Sequence, residues 1–165
     1  MAEHTTASTQ PIYHRYGRSI EVAKQEIDNQ YTLRTLFKSF FSERTDFERI
    51  QVMLTAAALT ILPKRSKEGH TIFYARWIDN DMNKFNFALA LKSLLMVIDL
   101  WQYEEGTWPG FMFILDMELI KFGLIAMLDL ENIRQFVVYI PDALLVKLKA
   151  VHFVNVPPFM DRINA

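Results

Sequence analysis

Cysteine is absent from this 165-residue chain, which excludes disulfides and thiolate metal sites and fits a reducing compartment. An excess of one charge sign is also missing. Lys and Arg number 18 against 19 Asp and Glu, a formal net charge of −1, so no basic field points to nucleic acid. Glycine is scarce: the five, Gly17, Gly69, Gly106, Gly110 and Gly123, are scattered. No G-x-G-x-x-G, G-x-x-x-x-G-K-[ST] or G-x-S-x-G occurs, which removes the dinucleotide fingerprint, the P-loop and the nucleophile elbow. His4, His14, His70 and His152 lack the i, i+4 spacing of a helical zinc site. No uncharged apolar run reaches bilayer length, since residues 85–101, the most apolar stretch, are interrupted by Lys92 and Asp99. The opening residues hold no apolar run of the kind a signal peptide needs. Both absences lead us to expect a cytoplasmic protein that meets membranes only from the side.

What the chain has is apolar and soft. The hydrophobic share is 51%, with 13 Phe, 8 Met and 3 Trp, enough for a sizeable core. Residues 1–18 read as a flexible tail. Residues 19–61 read as a helical segment, with Ser19 capping a first helix to about Phe40. Its apolar positions are Val22, Ile27, Tyr31, Leu33, Leu36, Phe37 and Phe40. Asp46 is expected to cap a second helix running to about Leu59, which Pro63 stops. A charged turn, Lys64-Arg65-Ser66-Lys67-Glu68, closes on Gly69.

From there the pattern changes. Residues 71–76, 110–116 and 150–155 are short runs rich in aliphatic and aromatic residues, the mark of strands buried on both faces in a parallel sheet. Helical stretches lie between them. Residues 85–103 are apolar nearly all round, with a thin polar stripe at Lys92, Asp99 and Tyr103. Residues 122–139 read as amphipathic, Ala126, Leu130, Ile133 and Val137 facing inward and Glu131, Arg134 and Gln135 outward. Pro141 is expected to start a short helix to about Lys149. The spacing of the strand ends Arg76, Asp116 and Asn155 leaves room for a crossover helix each time, which predicts an α/β fold with a parallel-sheet core.

Ligands of open parallel sheets gather beyond the carboxyl ends of the strands, so Arg76, Asp116 and Asn155 could form a site there. They could equally be polar simply because strands end where water and caps begin, and the missing motifs favour this. His152, between apolar neighbours, reads as a satisfied core histidine. Glu104-Glu105 reads as a solvated helix end. The uniformly apolar stretch 85–101 needs an outer cover: another chain, a further segment, or a lipid in a cavity.

Several motifs together resemble the CRAL-TRIO (Sec14-like) lipid-binding family, in particular insect tocopherol-transfer-like proteins. Leu62-Pro63-Lys64-Arg65 with Gly69, followed by a strand ending in Arg76, is similar to that domain's opening. Asp79-Asn80-Asp81-Met82-Asn83-Lys84-Phe85 resembles the loop into its long helix. Gly110 through Leu115 and Asp116-Met117-Glu118 resemble its central strand and Asp-x-Glu ending. Val151-His152-Phe153-Val154-Asn155-Val156-Pro157 resembles its third strand and turn. The chain departs from the family at Leu144-Leu145-Val146-Lys147, where Tyr-Pro-x-Arg is usual, at Leu119 in place of glycine, and at Met82 in place of proline.

The resemblance implies that residues 62–165 form a partial CRAL-TRIO domain. Family members continue past the Asn-x-Pro turn into a further strand and a helical lid, so a shortened member with an apolar groove open to solvent is expected. It implies a non-enzymatic protein that needs no cofactor and binds, for transfer, a hydrophobic ligand such as a tocopherol, retinoid or phosphoinositide. The alternative is a truncated or degenerate interaction fragment without a complete cage. By position the ligand-facing residues would be Ser93, Val97, Phe111, Leu115, Phe136, Tyr139, Ile140, Leu144 and Val151. Ser93 would orient the ligand's polar end, and Lys147 would meet phosphoinositide headgroups. The expected partners are thus a lipid and, peripherally, a phosphoinositide-bearing membrane such as the endosomal surface, with no nucleic acid.

Overall fold

The computed structural model describes residues 20–45, 47–79, 81–105, 109–144 and 146–162. The expected tail and the caps at Ser19 and Asp46 lie outside them. The chain opens with α1 (Ile20–Leu36), a short α2 (Lys38–Phe41) and α3 (Phe47–Ala56). The helix ends at Ala56, not near Leu59: residues Ala57–Ile61 form a strand, β1. Ala57, Ala58 and Leu59 suit a helix locally, so the sequence pattern runs on. What decides is pairing, because β1 lies antiparallel to the next strand from Ala57 opposite Trp77 to Ile61 opposite Phe73. The charged turn closes this hairpin. The Ser66 hydroxyl accepts from the Glu68 and His70 amides, and Gly69 sits at φ +80°, where a side chain would be strained.

Three further strands and three helices follow as β2 (Thr71–Trp77), α4 (Phe87–Glu105), β3 (Phe111–Asp116), α5 (Phe122–Ala126), α6 (Leu130–Ala143) and β4 (Leu148–Val154). The sheet order is β1-β2-β3-β4. Strands β2, β3 and β4 are parallel, as the crossover lengths require, and β1 adds an antiparallel edge. The α/β fold with a largely parallel core and leading helices is therefore the one the sequence predicts.

The helix expected over 122–139 is two helices. Asp129 accepts from the Glu131 and Asn132 amides and so starts α6 afresh. That helix then runs through Pro141 to Ala143, so no new helix begins at Pro141. Lys147 precedes β4 and Lys149 lies within it. The inward face of α6 also differs from expectation. Leu130 and Val137 are 81% and 62% exposed, while Asn132 and Tyr139 are buried. Polar contacts to the leading helices set this rotation. Arg34 Nε donates to the Tyr139 hydroxyl at 3.2 Å, Ser39 Oγ donates to Gln135 Oε1 at 3.2 Å, and Phe40 meets Phe136 edge-on.

Helices α1 and α2 also supply the cover that α4 needs. The polar stripe on α4 is bound rather than solvated at Lys92 and Asp99. Lys92 Nζ donates to the Ser42 carbonyl at 2.8 Å. Asp99 accepts from Arg34 at 2.5 Å and Arg44 at 2.7 Å, and both guanidinium groups lie over the Phe41 ring. On its other side α4 packs Leu91, Leu95 and Ile98 against Phe73, Phe111 and Phe113 of the sheet. Glu104 and Glu105 are solvated at its end, and Glu105 pairs with Arg65. His152 is exposed, not a core residue, because β4 is the outer strand of the sheet.

Candidate functional site

The register fixes which side chains share a face. Phe73, Phe113 and Val151 stand abreast, as do Ala75, Leu115 and Phe153. Toward the amino ends of the parallel strands this face is filled: Phe73 makes ring contacts with Phe111, Phe113 and Trp101. Toward the carboxyl ends it is hollow. A cavity of about 480 Å³ lies there, floored by Ala57 and Leu59 of β1, Ala75 and Trp77 of β2, and Leu115 of β3. Its roof is a stripe of α4 at positions Phe87, Ala90, Leu91 and Leu94, the i, i+3, i+4, i+7 series of one helical face. Met53 and Leu54 of α3 bound one side; Leu124 of α5 with Ile133, Phe136 and Ile140 of α6 bound the other. Alanine at 57, 75 and 90 is what leaves the space, since aromatic side chains fill the equivalent layer one turn away.

Five of the nine residues expected to face a ligand line this cavity: Ser93, Leu115, Phe136, Ile140 and Val151. The other four lie away from it. Phe111, Tyr139 and Leu144 are buried in the filled part of the core, and Val97 packs against them. Lys147 is exposed and outside the lining. Residues not anticipated are Met53, Ala57, Ala75, Trp77, Phe87 and Ala90. The helical stripe 87–90–91–94 was visible in the sequence. The contribution of α3 and β1 was not, because the strand itself was read as helix.

Two lining residues carry a buried polar atom without a hydrogen-bond partner, Arg76 at Nε and Ser93 at its hydroxyl. Ser93 is 4% exposed, and its hydroxyl is buried without a hydrogen-bond partner. A buried unpaired hydroxyl is costly unless something occupies it.

The polar strand ends form a closed network instead of an open site. Asp116 accepts from the Tyr74 hydroxyl at 2.7 Å, Asn155 Nδ2 at 2.9 Å and the Glu118 amide at 3.1 Å. Arg76 bridges Asp116 at 3.6 Å and Glu118 at 2.5 Å. The hydrogen bonds from Asn155 and then Tyr74 hold the Asp116 carboxyl below its ordinary range, and the bond to Asp116 raises the Tyr74 phenol. Asn155 takes a left-handed φ of +53°, which asparagine tolerates. The network thus ties three strand ends together and turns the chain after β4 toward α5, where Phe159 meets Phe122 edge-on. Among the described residues no group of acidic and imidazole side chains could hold a metal ion.

A largely parallel sheet, helices packed on it, and an apolar cavity at the carboxyl ends of the strands define a domain organised around a hydrophobic site. The chain matches the CRAL/TRIO domain over residues 56–163, most of its length, and belongs to that family. CRAL/TRIO domains bind lipophilic small molecules, in several cases for transfer. No curated protein matches the chain. Among the described residues no helix is long and apolar enough to cross a membrane.

Proposed function

We propose that this protein is a non-enzymatic carrier that holds a hydrophobic ligand of the tocopherol or retinoid kind in the cavity under α4. The observation that supports this most is the cavity itself: about 480 Å³ of space walled almost wholly by hydrocarbon and aromatic side chains. Apolar surface of that extent gains free energy when a lipid displaces water from it, at roughly 25 cal/mol per Å². The network at the strand ends supports the non-enzymatic reading, because its acid, phenol and guanidinium groups are engaged with one another. The test is organic extraction of freshly purified protein followed by mass spectrometry, beside an Ala90→Phe variant that fills the cavity. A lipid retained by the wild type and lost from Ala90→Phe is expected. Equal recovery from both would remove the cavity as the site.

A second reading, an interaction fragment without a working cage, draws support from β4. That outer strand leaves Phe153 55% exposed, with Val151 and Val154 exposed beside it. Protein that is empty on extraction and associates in solution would favour it.

The same carrier reading extends to the membrane through Lys147, exposed at the start of β4 beside Lys149. Each lysine near an anionic surface contributes about 1 kcal/mol, so weak, salt-sensitive docking on phosphoinositide vesicles from the cytoplasmic, endosomal side is proposed. Vesicle sedimentation reduced by Lys147→Ala is the expected result; unchanged sedimentation would strike Lys147 from the site.

A further inference from the structure

We propose that β4 pairs antiparallel with the β4 of a second copy of this chain, about a two-fold axis at His152, joining the two sheets edge to edge and closing the open wall of each cavity. The pairing concerns assembly and stands whatever the cavity holds.

The first observation is the edge itself. Within the sheet β4 pairs with β3 alone, and no strand follows its outer side among the described residues. The Val154 carbonyl accepts from the Met117 amide and so points to β3. Alternation along the strand then turns the N–H and C=O groups of Val151 and Phe153 outward, where the sheet offers them no partner. The opposite edge, β1, is a different surface. Its exposed position is Thr60, whereas β4 exposes Val151, Phe153 and Val154. Edge strands are ordinarily guarded by charge, proline or a bulge. Here those devices stand at the ends, Lys149 at the register shift and Pro157-Pro158 beyond the strand, and residues 150–154 hold no lysine, acid or proline.

The second observation is symmetry. A two-fold axis at His152 sets Val151 opposite Phe153 of the second copy and repeats that pair across the axis, each pair exchanging both backbone hydrogen bonds. Val151 and Phe153 line the cavity yet are 39% and 55% exposed, because the cavity opens past the sheet edge. The paired strand extends the floor beyond that edge and covers both side chains.

The third is charge. Lys147 and Lys149 stand at the start of β4, while Asp116 and Glu118 outnumber Arg76 beside its end. Antiparallel pairing lays the basic start of each strand along the acidic end of the other; parallel pairing would set like against like. A surface that complements itself in this way takes a second copy as its partner.

Because the chain has no cysteine, a single introduced thiol reports its own neighbour. His152 faces its symmetry mate in a non-hydrogen-bonded pair, whose Cα separation of about 4.5 Å permits a disulfide. Ala150 faces Val154 of the second copy and lies far from its own mate. Under mild oxidation His152→Cys is expected to cross-link at least about ten-fold faster than Ala150→Cys. An equimolar mixture of Ala150→Cys and Val154→Cys should cross-link as well. By light scattering the wild type should be a dimer, and Phe153→Lys, which puts charge on the edge, a monomer with its circular dichroism unchanged. A wild-type monomer, equal cross-linking of His152→Cys and Ala150→Cys, or a dimer that survives Phe153→Lys would each overturn the pairing and leave the carrier reading, which lipid extraction tests, untouched. A monomer that sediments with phosphatidylcholine vesicles, and loses this on Phe153→Lys, would assign the edge to a lipid surface and overturn the pairing likewise.

Discussion

Under the single helix α4 the sheet is packed at one end and hollow at the other. At the amino ends of the parallel strands Phe73, Phe111 and Phe113 meet Leu95 and Ile98 with almost no surface left exposed. One layer along, Ala75 and Leu115 face Ala90 and Ser93 across about 480 Å³ of space. The strands and the covering helix are shared, and much of the contrast comes from side-chain volume, alanine standing at 57, 75 and 90 where the packed end has phenylalanine. The packed end holds the layers together, and that anchorage lets the other end stay open without collapsing.

The largest effect should come from emptying the packed end. Phe73→Ala is expected to cost about 4 kcal/mol in chemical denaturation, from lost transfer energy and a new cavity. Leu115→Ala, on the hollow side, should cost about 2 kcal/mol, because much of its neighbourhood is already unfilled. Equal losses would mean that the hollow end is packed in solution.

Next comes the clamp that holds the leading helices over α4. Asp99→Ala leaves the guanidinium groups of Arg34 and Arg44 without their shared carboxylate, and should cost about 2 kcal/mol. Faster hydrogen exchange is expected in α1 and α2 before it appears in β3. Uniform acceleration along the chain would break the distinction between clamp and sheet.

The two ends were not equally legible in the sequence. The aromatic and aliphatic runs of β2, β3 and β4 are local patterns, and they announced the sheet, its parallel order and much of the packed end. The hollow end depends on what is not there, and alanine at 57, 75 and 90 reads locally as helix former or filler. Ala57 in particular looked like the last turn of a helix, which hid β1 and with it the α3 side of the cavity. The rotation of α6 was hidden for a different reason. Tyr139 and Gln135 meet Arg34 and Ser39, partners about a hundred positions away, and no periodicity within the helix records such contacts. Asp116 and Asn155 could be seen as polar strand ends, but only the fold shows that they bond to each other.

A filling experiment separates the two ends by function. Leucine at Ala75 enters open space, so stability should change by less than about 1 kcal/mol while lipid retention is lost. The same change at Ala56, which is fully buried, should cost about 1–3 kcal/mol by overpacking. If Ala75→Leu destabilises as much as Ala56→Leu, the cavity is smaller in solution than the geometry requires.

The smallest effect at neutral pH, and the most telling at the extremes, belongs to the network at the strand ends. The Asp116 carboxyl titrates below its ordinary value of about 3.9 because Asn155 and Tyr74 donate to its charged form. Its contribution to stability is therefore complete above the unfolded value and lost as pH falls through the folded one. Tyr74 titrates above its ordinary value of about 10, chiefly through its bond to Asp116. Its contribution is complete below that value and lost as pH rises through the folded one. One hydrogen bond thus borders a stability plateau on both sides, with losses expected below about pH 4 and above about pH 10. Asp116→Asn should lower the plateau and shallow the loss at the acid edge. Tyr74→Phe should shallow the loss at the alkaline edge, and it also removes one of the bonds that hold the carboxyl down, so the acid edge should soften as well. Denaturant midpoints measured across pH for the three proteins check this. Unchanged alkaline behaviour in Tyr74→Phe would show that the phenol does not hold its proton against Asp116, and that the strand ends are tied by Arg76 and Asn155 instead.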